Sequence, residues 1–298
     1  MVTPKSIVIF HTLLPEFEYL KPKTLNEALE LLNKYGEEAK ILAGGTDLIV
    51  DMRMRAKEPK YVIDIKGIEE LHVLKYEEGK GLTIGATVTL RELVENKIVK
   101  EKYYVLWDAV RQIADERLRM RATLVGNICN ASPAADSAPA LLVLKAKVNI
   151  ASVEGHRTIE IKNFFKGVKK TVLKPNEMVT SVFIPEPPKN ARGLYLKFVR
   201  SAEDLALVGI AGLVAYPKDP EKRIVRLAYS SVAPTPVIVE EVEELFKQDR
   251  PINELIEEAI KLVMKKVSPI TDVRATKELR QHMVEYGTRY VLKTLLEG

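Results

Sequence analysis

Two short stretches of this 298-residue chain have a composition that suits a ligand better than a core. The first is Ala43-Gly44-Gly45-Thr46-Asp47-Leu48. An apolar run, Lys40-Ile41-Leu42-Ala43, enters paired glycines, then a hydroxyl, then a predicted helix start. Glycines permit positive φ and let main-chain N–H groups approach an anion without a Cβ in the way, and the helix beyond adds a favourable dipole end. That pattern makes a phosphate cradle, although Gly-Gly before a helix also occurs as a simple tight turn. The second stretch runs from Arg119 to Pro139, RMRATLVGNICNASPAADSAP. It is dense in small and polar residues yet lies between two strongly apolar stretches, which predicts a functional loop. Its small side chains leave room for a flat ring against the backbone, and its Thr, Ser, Asn and Asp groups supply directed hydrogen bonds.

Other chemistries are narrowed by what the chain lacks. Its one cysteine, Cys129, excludes an intramolecular disulfide and any all-cysteine iron–sulfur or zinc site within the chain. In a small-residue stretch this thiol reads as a packed side chain rather than a reactive one, with only Arg119 and Arg121 nearby to lower its pKa. The four histidines, His11, His72, His156 and His282, stand far apart without metal-ligand spacing. Redox chemistry would therefore require an organic cofactor. The net charge is +5 with a pI near 9.0. However, the 46 basic and 41 acidic residues are interleaved, which reads as a solvated surface of mixed sign rather than a nucleic-acid patch. No apolar run reaches the roughly 18 residues of a membrane-spanning helix. The opening, MVTPKSIVIFHTLLPEFEYL, lacks the pattern of a signal peptide, so it is read as mature sequence and the protein as cytoplasmic.

The elements that must position the two stretches are legible in outline. Thr24 and Glu27 form a capping-box pattern, followed by Leu25, Ala28, Leu29, Leu31 and Leu32 at helical spacing and by Gly36 as a helix stop. Strands are predicted at 40–43, at Tyr61 to Ile65 and at Gly81 to Ala86. A second capping box, Thr89 to Glu92, opens another helix, and a longer helix is expected over 103–118 around Trp107. Beyond Pro139, ALLVLKAKVNIASV suggests a helix passing into a strand. The proline-rich Ile184 to Lys189 cannot continue a regular element and is placed at the domain boundary. After it, YLKFVR, LVGIAGLVAY and IVRLAYSSVA precede three helical segments. One of these carries the stripe Ile252, Leu255, Ile256, Ala259, Ile260 and Val263. This describes an α+β domain with a three-stranded sheet.

Together the two stretches resemble the flavin subunits of the molybdenum hydroxylases, the xanthine dehydrogenase and carbon monoxide dehydrogenase family. That family carries a pyrophosphate loop of the A-G-G-T-D-L kind and a later R-x-A-T-hydrophobic-G-G-N run leading to A-S-P-x-x-D. The flanks match as well: an E-Y-x-x-P-x-T-L-x-E-A-L-like beginning, T-I-G-A-x-x-T-L-R-E-L in the middle, and an L-K-x-x-R-x-x-E-D-x-A-like stretch at Leu196 to Ala206. The resemblance covers nearly the whole chain. One position departs from the pattern, since Val125 stands where the first of two glycines is usual.

The resemblance implies an α+β fold of the vanillyl-alcohol oxidase type. Its FAD-binding domain would span 1–185, in two subdomains of roughly 1–70 and 71–185, and a C-terminal α+β domain would span 190–298. It implies non-covalent FAD, with Ala43, Gly44, Gly45, Thr46, Asp47 and Leu48 around the diphosphate. Thr123, Leu124, Val125, Gly126 and Asn127 would lie near the isoalloxazine and ribityl portion, and Asp136 would accept a hydrogen bond from a cofactor hydroxyl. Lys197 either approaches the flavin or is a solvated strand lysine. No catalytic acid or base is assigned. Molybdopterin and [2Fe–2S] clusters would reside on a large and a small partner subunit, whose electrons this FAD would pass to an external acceptor. The cysteine-bearing insertion of benzoyl-CoA-type reductases is absent. Two rivals remain: a free-standing flavin oxidase of the same fold, and a non-enzymatic or nucleic-acid-binding protein suggested by the pI alone.

Overall fold

The computed structural model describes residues 13–297. Most of the opening segment read as mature sequence, together with His11 and Gly298, lies outside them.

A small parallel sheet begins the fold. Strand β1 (Glu18–Leu20) leads through helix α1 (Leu25–Tyr35) to β2 (Ala39–Leu42), and α2 (Leu48–Arg53) leads on to β3 (Tyr61–Asp64). The order is β1-β3-β2, with both pairs parallel, as connections crossing over through helices require. Thr24 caps α1 by accepting from the Glu27 N–H at 3.2 Å, and Ala28, Leu29 and Leu32 face the core. The predicted box is only half made. The Glu27 carboxylate takes the N–H of Lys23 at 2.7 Å, one residue beyond the cap.

Next come β4 (Leu74–Glu77) and β5 (Gly81–Gly85), then six short helices: α3 (Leu90–Glu95), α4 (Lys97–Lys102), α5 (Tyr104–Arg111), α6 (Glu116–Arg119), α7 (Leu124–Asn130) and α8 (Ser137–Val143). The chain returns through β6 (Lys147–Ser152), β7 (Gly155–Glu160), a minor hairpin of β8 (Phe165–Gly167) and β9 (Lys170–Thr171), and β10 (Met178–Pro185). A five-stranded antiparallel sheet results, ordered β4-β5-β10-β6-β7. The Thr89–Glu92 box is complete in both directions.

Three expectations fail in this region, one of them at its end, where β10 runs on through Ile184 and Pro185 of the proline-rich segment before it stops. The helix predicted over 103–118 is two helices, because the chain turns at Ala114, where φ is +45°. Asp115 then caps α6 through the Leu118 N–H at 2.7 Å, and the Arg119 guanidinium clasps the carbonyls of Ile113 and Ala114 at 2.8 and 2.7 Å. The predicted loop of 119–139 also folds, since Thr123 accepts from the Gly126 N–H at 2.9 Å and starts α7. A serviceable N-cap outweighed the loop-like composition.

The last portion is an antiparallel sheet, β11 (Arg192–Phe198), β12 (Val208–Ala215), β13 (Ile224–Ser230) and β14 (Val237–Ile238), in that order. β14 is a fourth strand beyond the predicted three, too short to carry a readable period. Helices α9 (Glu241–Leu245), α10 (Ile252–Lys266) and α11 (Lys277–Glu297) follow. All eight residues of β12 are buried, because α11 covers one face of the sheet while α5 and α8 approach the other. On α10 the predicted stripe faces the core from Leu255 to Val263, with Ile252 only half-buried.

Candidate cofactor-binding site

A cavity of about 520 Å³ opens where these portions meet, within the range of roughly 300–1,000 Å³ usual for small-molecule sites. One wall is the turn from Ala43 to Leu48 between β2 and α2. Another is the start of α7 with Thr123, Val125, Gly126 and Asn127, and an edge carries Asp136 and Lys197. Leu124 is the exception among the predicted residues. It is fully buried in the hydrophobic core and does not line the cavity, because the first turn of α7 points that side chain inward.

The first wall matches its expected chemistry. The main-chain N–H groups of Gly44, Gly45, Thr46 and Asp47 donate to no oxygen among the described residues, so a run of donors lies beside the cavity. Gly45 adopts φ +75°, a region that a Cβ disfavours. Asn130, at the end of α7, donates to Asp47 Oδ1 at 2.8 Å and ties the two walls together. On the second wall, Ser137 Oγ donates to Asn127 Oδ1 at 2.6 Å. Val125 is 4% exposed and sits in the first turn of α7, a conformation that accommodates a Cβ without strain.

Asp136 and Lys197 are partners. Lys197 Nζ lies 3.0 Å from Asp136 Oδ2, with side-chain exposures of 3% and 5%, and donates also to the Gln112 carbonyl at 2.9 Å. The reading of Lys197 as a solvated strand lysine is therefore wrong. Its place on β11 points it inward, two residues along from buried Tyr195. Tyr195 Oη donates to Asp136 Oδ1 at 2.7 Å, and the Tyr195 N–H donates to Asp108 Oδ2 at 3.1 Å. Burial pushes the Asp136 carboxyl up, against the pull of the Lys197 ammonium. Burial likewise holds the Tyr195 hydroxyl well above its ordinary range, so it acts as a hydrogen-bond donor.

Cys129 also lines the cavity, and burial pushes its thiol up to about 12. Neither arginine considered beside it lowers that value. Arg119 is spent on the turn at Ala114, and Arg121 is exposed. Tyr195, Lys40, Lys57 and Lys169 are further residues at the site that the sequence did not suggest. Only the alternation of β11 pointed to Tyr195, and the lysines carried no local signal.

Comparison with known proteins gives a consistent result. Residues 15–187 match the family described as the FAD binding domain in molybdopterin dehydrogenase, and residues 194–295 match the CO dehydrogenase flavoprotein C-terminal domain. The chain is 32% identical to a putative xanthine dehydrogenase FAD-binding subunit of Escherichia coli (strain K12), over 92% of this chain and 94% of that one. It is also 32% identical to the glyceraldehyde dehydrogenase medium chain of Sulfolobus acidocaldarius, over 94% and 98%. A chain of the solved carbon monoxide dehydrogenase from Hydrogenophaga pseudoflava superposes with a TM-score of 0.91 at 29% identity, covering 96% of this chain and 99% of that one. The chain belongs to the family of FAD-binding flavoprotein chains of the molybdopterin dehydrogenases.

Proposed function

We propose that this chain is the FAD-carrying electron-transfer subunit of a multi-subunit molybdenum hydroxylase, an oxidoreductase whose substrate is oxidised on another chain. In that reading 1–185 is the cofactor domain and 190–298 the C-terminal domain. A large molybdopterin subunit and a small [2Fe–2S] subunit are the partners, and the setting is cytoplasmic. Among the described residues no helix is long and apolar enough to cross a membrane.

The observation that carries the reading is the pairing of a run of unspent N–H donors with a buried Asp136–Lys197 pair across one cavity. The residues fit FAD. Oriented main-chain donors suit a diphosphate, and small side chains leave space for a flat ring. In this assignment Gly44 to Asp47 hold the diphosphate. The first turn of α7 faces the ribityl and ring portion, with Val125 contributing its main chain. Asp136 keeps lone pairs beyond its bonds to Tyr195 and Lys197, and these accept from a cofactor hydroxyl. Lys197, immobilised by Gln112 and Asp136, sets a fixed positive charge at the same edge. When bound, FAD supplies the one- and two-electron chemistry that links a donor on a partner chain to an external acceptor.

Purification of the chain from its native source tests the reading. Flavin should be released entirely as free FAD on denaturation, and two further chains containing molybdenum and iron should co-purify. Flavin that stays on the denatured polypeptide would favour a free-standing covalent flavoenzyme. Colourless protein that takes up no FAD and binds DNA with steep salt dependence would overturn the assignment.

A further inference from the structure

Three cations face the cavity from separate elements near the Gly44–Asp47 turn. Lys40 stands on β2, Lys57 follows α2, and Lys169 occupies the turn between β8 and β9. Lys57 Nζ lies 2.8 Å from Asp51 Oδ2, and Lys169 Nζ lies 3.3 Å from Asp51 Oδ1. One carboxylate on α2, 8% exposed, thus gathers a neighbouring ammonium group and one from 118 residues away. Lys40 finds no carboxylate among the described residues, and its Nζ donates to the Glu37 carbonyl at 3.2 Å. Burial, and then repulsion from Lys57, holds the Lys40 ammonium below its ordinary pKa.

The positions are fixed by the main chain as well. Lys169 adopts φ +53°, and its N–H donates at 2.9 Å to the carbonyl of Ala131, which itself sits at φ +48° at the end of α7. The neighbouring Asn130 is the residue bonded to Asp47. Lys169 is therefore held against the same wall that carries the unspent N–H groups. Lys57 and Lys169 face Asp47 and Asp51, and Lys40, held at the Glu37 carbonyl, makes no ion pair among the described residues, so the ammonium groups are not fully neutralised and an anionic ligand would relieve their repulsion. Lysines suit this role, because flexible point charges reach phosphate oxygens without matching a planar fork.

We infer that Lys57 and Lys169, drawn together by Asp51, form with Lys40 a cationic clamp on the phosphates of the bound dinucleotide. The clamp rests on the FAD reading above and adds charge recognition to a main-chain cradle that carries no net charge of its own.

The test is titration of flavin-free protein with FAD, and with riboflavin as a ligand that has the ring but no phosphate, followed by flavin fluorescence at several salt concentrations. Wild-type protein should bind FAD less tightly as salt rises. The double variant Lys57→Gln/Lys169→Gln should lose about tenfold in FAD affinity and show a flatter salt dependence. Lys57→Arg/Lys169→Arg should recover most of that loss, and riboflavin affinity should be equal in all three proteins. FAD affinity unchanged in the glutamine variant, or FAD and riboflavin weakened alike, would overturn the clamp while leaving the FAD reading intact. Wild-type protein that takes up no FAD would overturn both.

Discussion

A Cβ built on Gly44 would run into the carbonyl oxygen of Arg121 and lie 2.8 Å from Ala122 Cα. The two cofactor stretches therefore touch through this glycine, and its bareness serves their contact with each other. A substituted side chain meets protein main chain first, rather than the place of a phosphate. Gly44→Ala should force the walls apart at a cost of about 1–3 kcal/mol and lose bound FAD, because the donors of the turn shift with it. Thermal unfolding and the flavin-to-protein ratio check this, and wild-type values for both would refute it. Gly45→Ala differs in mechanism: its φ of +75° should cost roughly 1–2 kcal/mol, while the Leu42 side chain beside it can move aside.

The legible parts of the fold and site were those with local causes. Thr24 and Thr89 announce helix starts, and Gly36 marks a helix stop at φ +50°. The alternating and apolar runs of β3, β5, β11, β12 and β13 are strand signals of the ordinary kind. Ala114 and Ala131 could not be anticipated, since alanine at positive φ is imposed by surrounding contacts rather than by its own preference. Thr123 is an N-cap whose signal is masked by the run of small residues around it. At the site, Gly44 to Asp47 were readable because glycine is a local signal. The Asp51 bond to Lys169 joins segments far apart in sequence, the one to Lys57 closes a short turn after α2, and no spacing rule reports either.

Asp136 and Lys197 give a second prediction. Each is a buried charge whose chief ionic partner is the other. Lys197→Met should leave the carboxylate with Tyr195 as its only side-chain partner among the described residues and lower stability by about 3–5 kcal/mol. Adding Asp136→Asn in the same chain should recover part of that loss, because the stranded charge is gone. Urea unfolding of the two single variants and the double variant measures the coupling. Strictly additive losses would show that the pair is not a unit.

Val125 tests the one departure from the family pattern. Val125→Gly removes a buried side chain and places glycine in the first turn of α7, so stability should fall by about 2–4 kcal/mol. FAD affinity should stay close to that of the wild type, since the main-chain N–H is the same. A much tighter complex would mean that the valine side chain intrudes on the cofactor's space.

Cys129 should be a poor nucleophile although it faces the cavity. With its thiol pushed up to about 12 by burial, little of it is thiolate at pH 8. Alkylation should be far slower than for a free thiol and should rise with pH well beyond 9. Bound FAD should slow it further by covering the cavity. Rapid modification at pH 8 would contradict both the burial and the packing role.

Asp272 provides the clearest pH dependence. Burial alone would push its carboxyl up, but the Arg274 N–H at 2.8 Å and guanidinium at 2.9 Å, with the Ala275 N–H at 3.2 Å, hold it well below the usual carboxylate range. Arg280, 2% exposed, adds a bond at 2.8 Å and reaches the carbonyls of Leu207 and Ser231. Because the folded pKa lies below the unfolded value of about 3.9, the contribution to stability is present above that pH and is lost as pH falls beneath it. Asp272→Asn should therefore lower the melting temperature at pH 7 and narrow its gap to the wild type as the pH drops from about 4 towards 2. A gap that stays constant over that range would show that the carboxylate's charge adds nothing. A substantial loss at every pH would then belong to the geometry of the 268–276 loop, which Asp272 organises through the main-chain N–H groups it accepts.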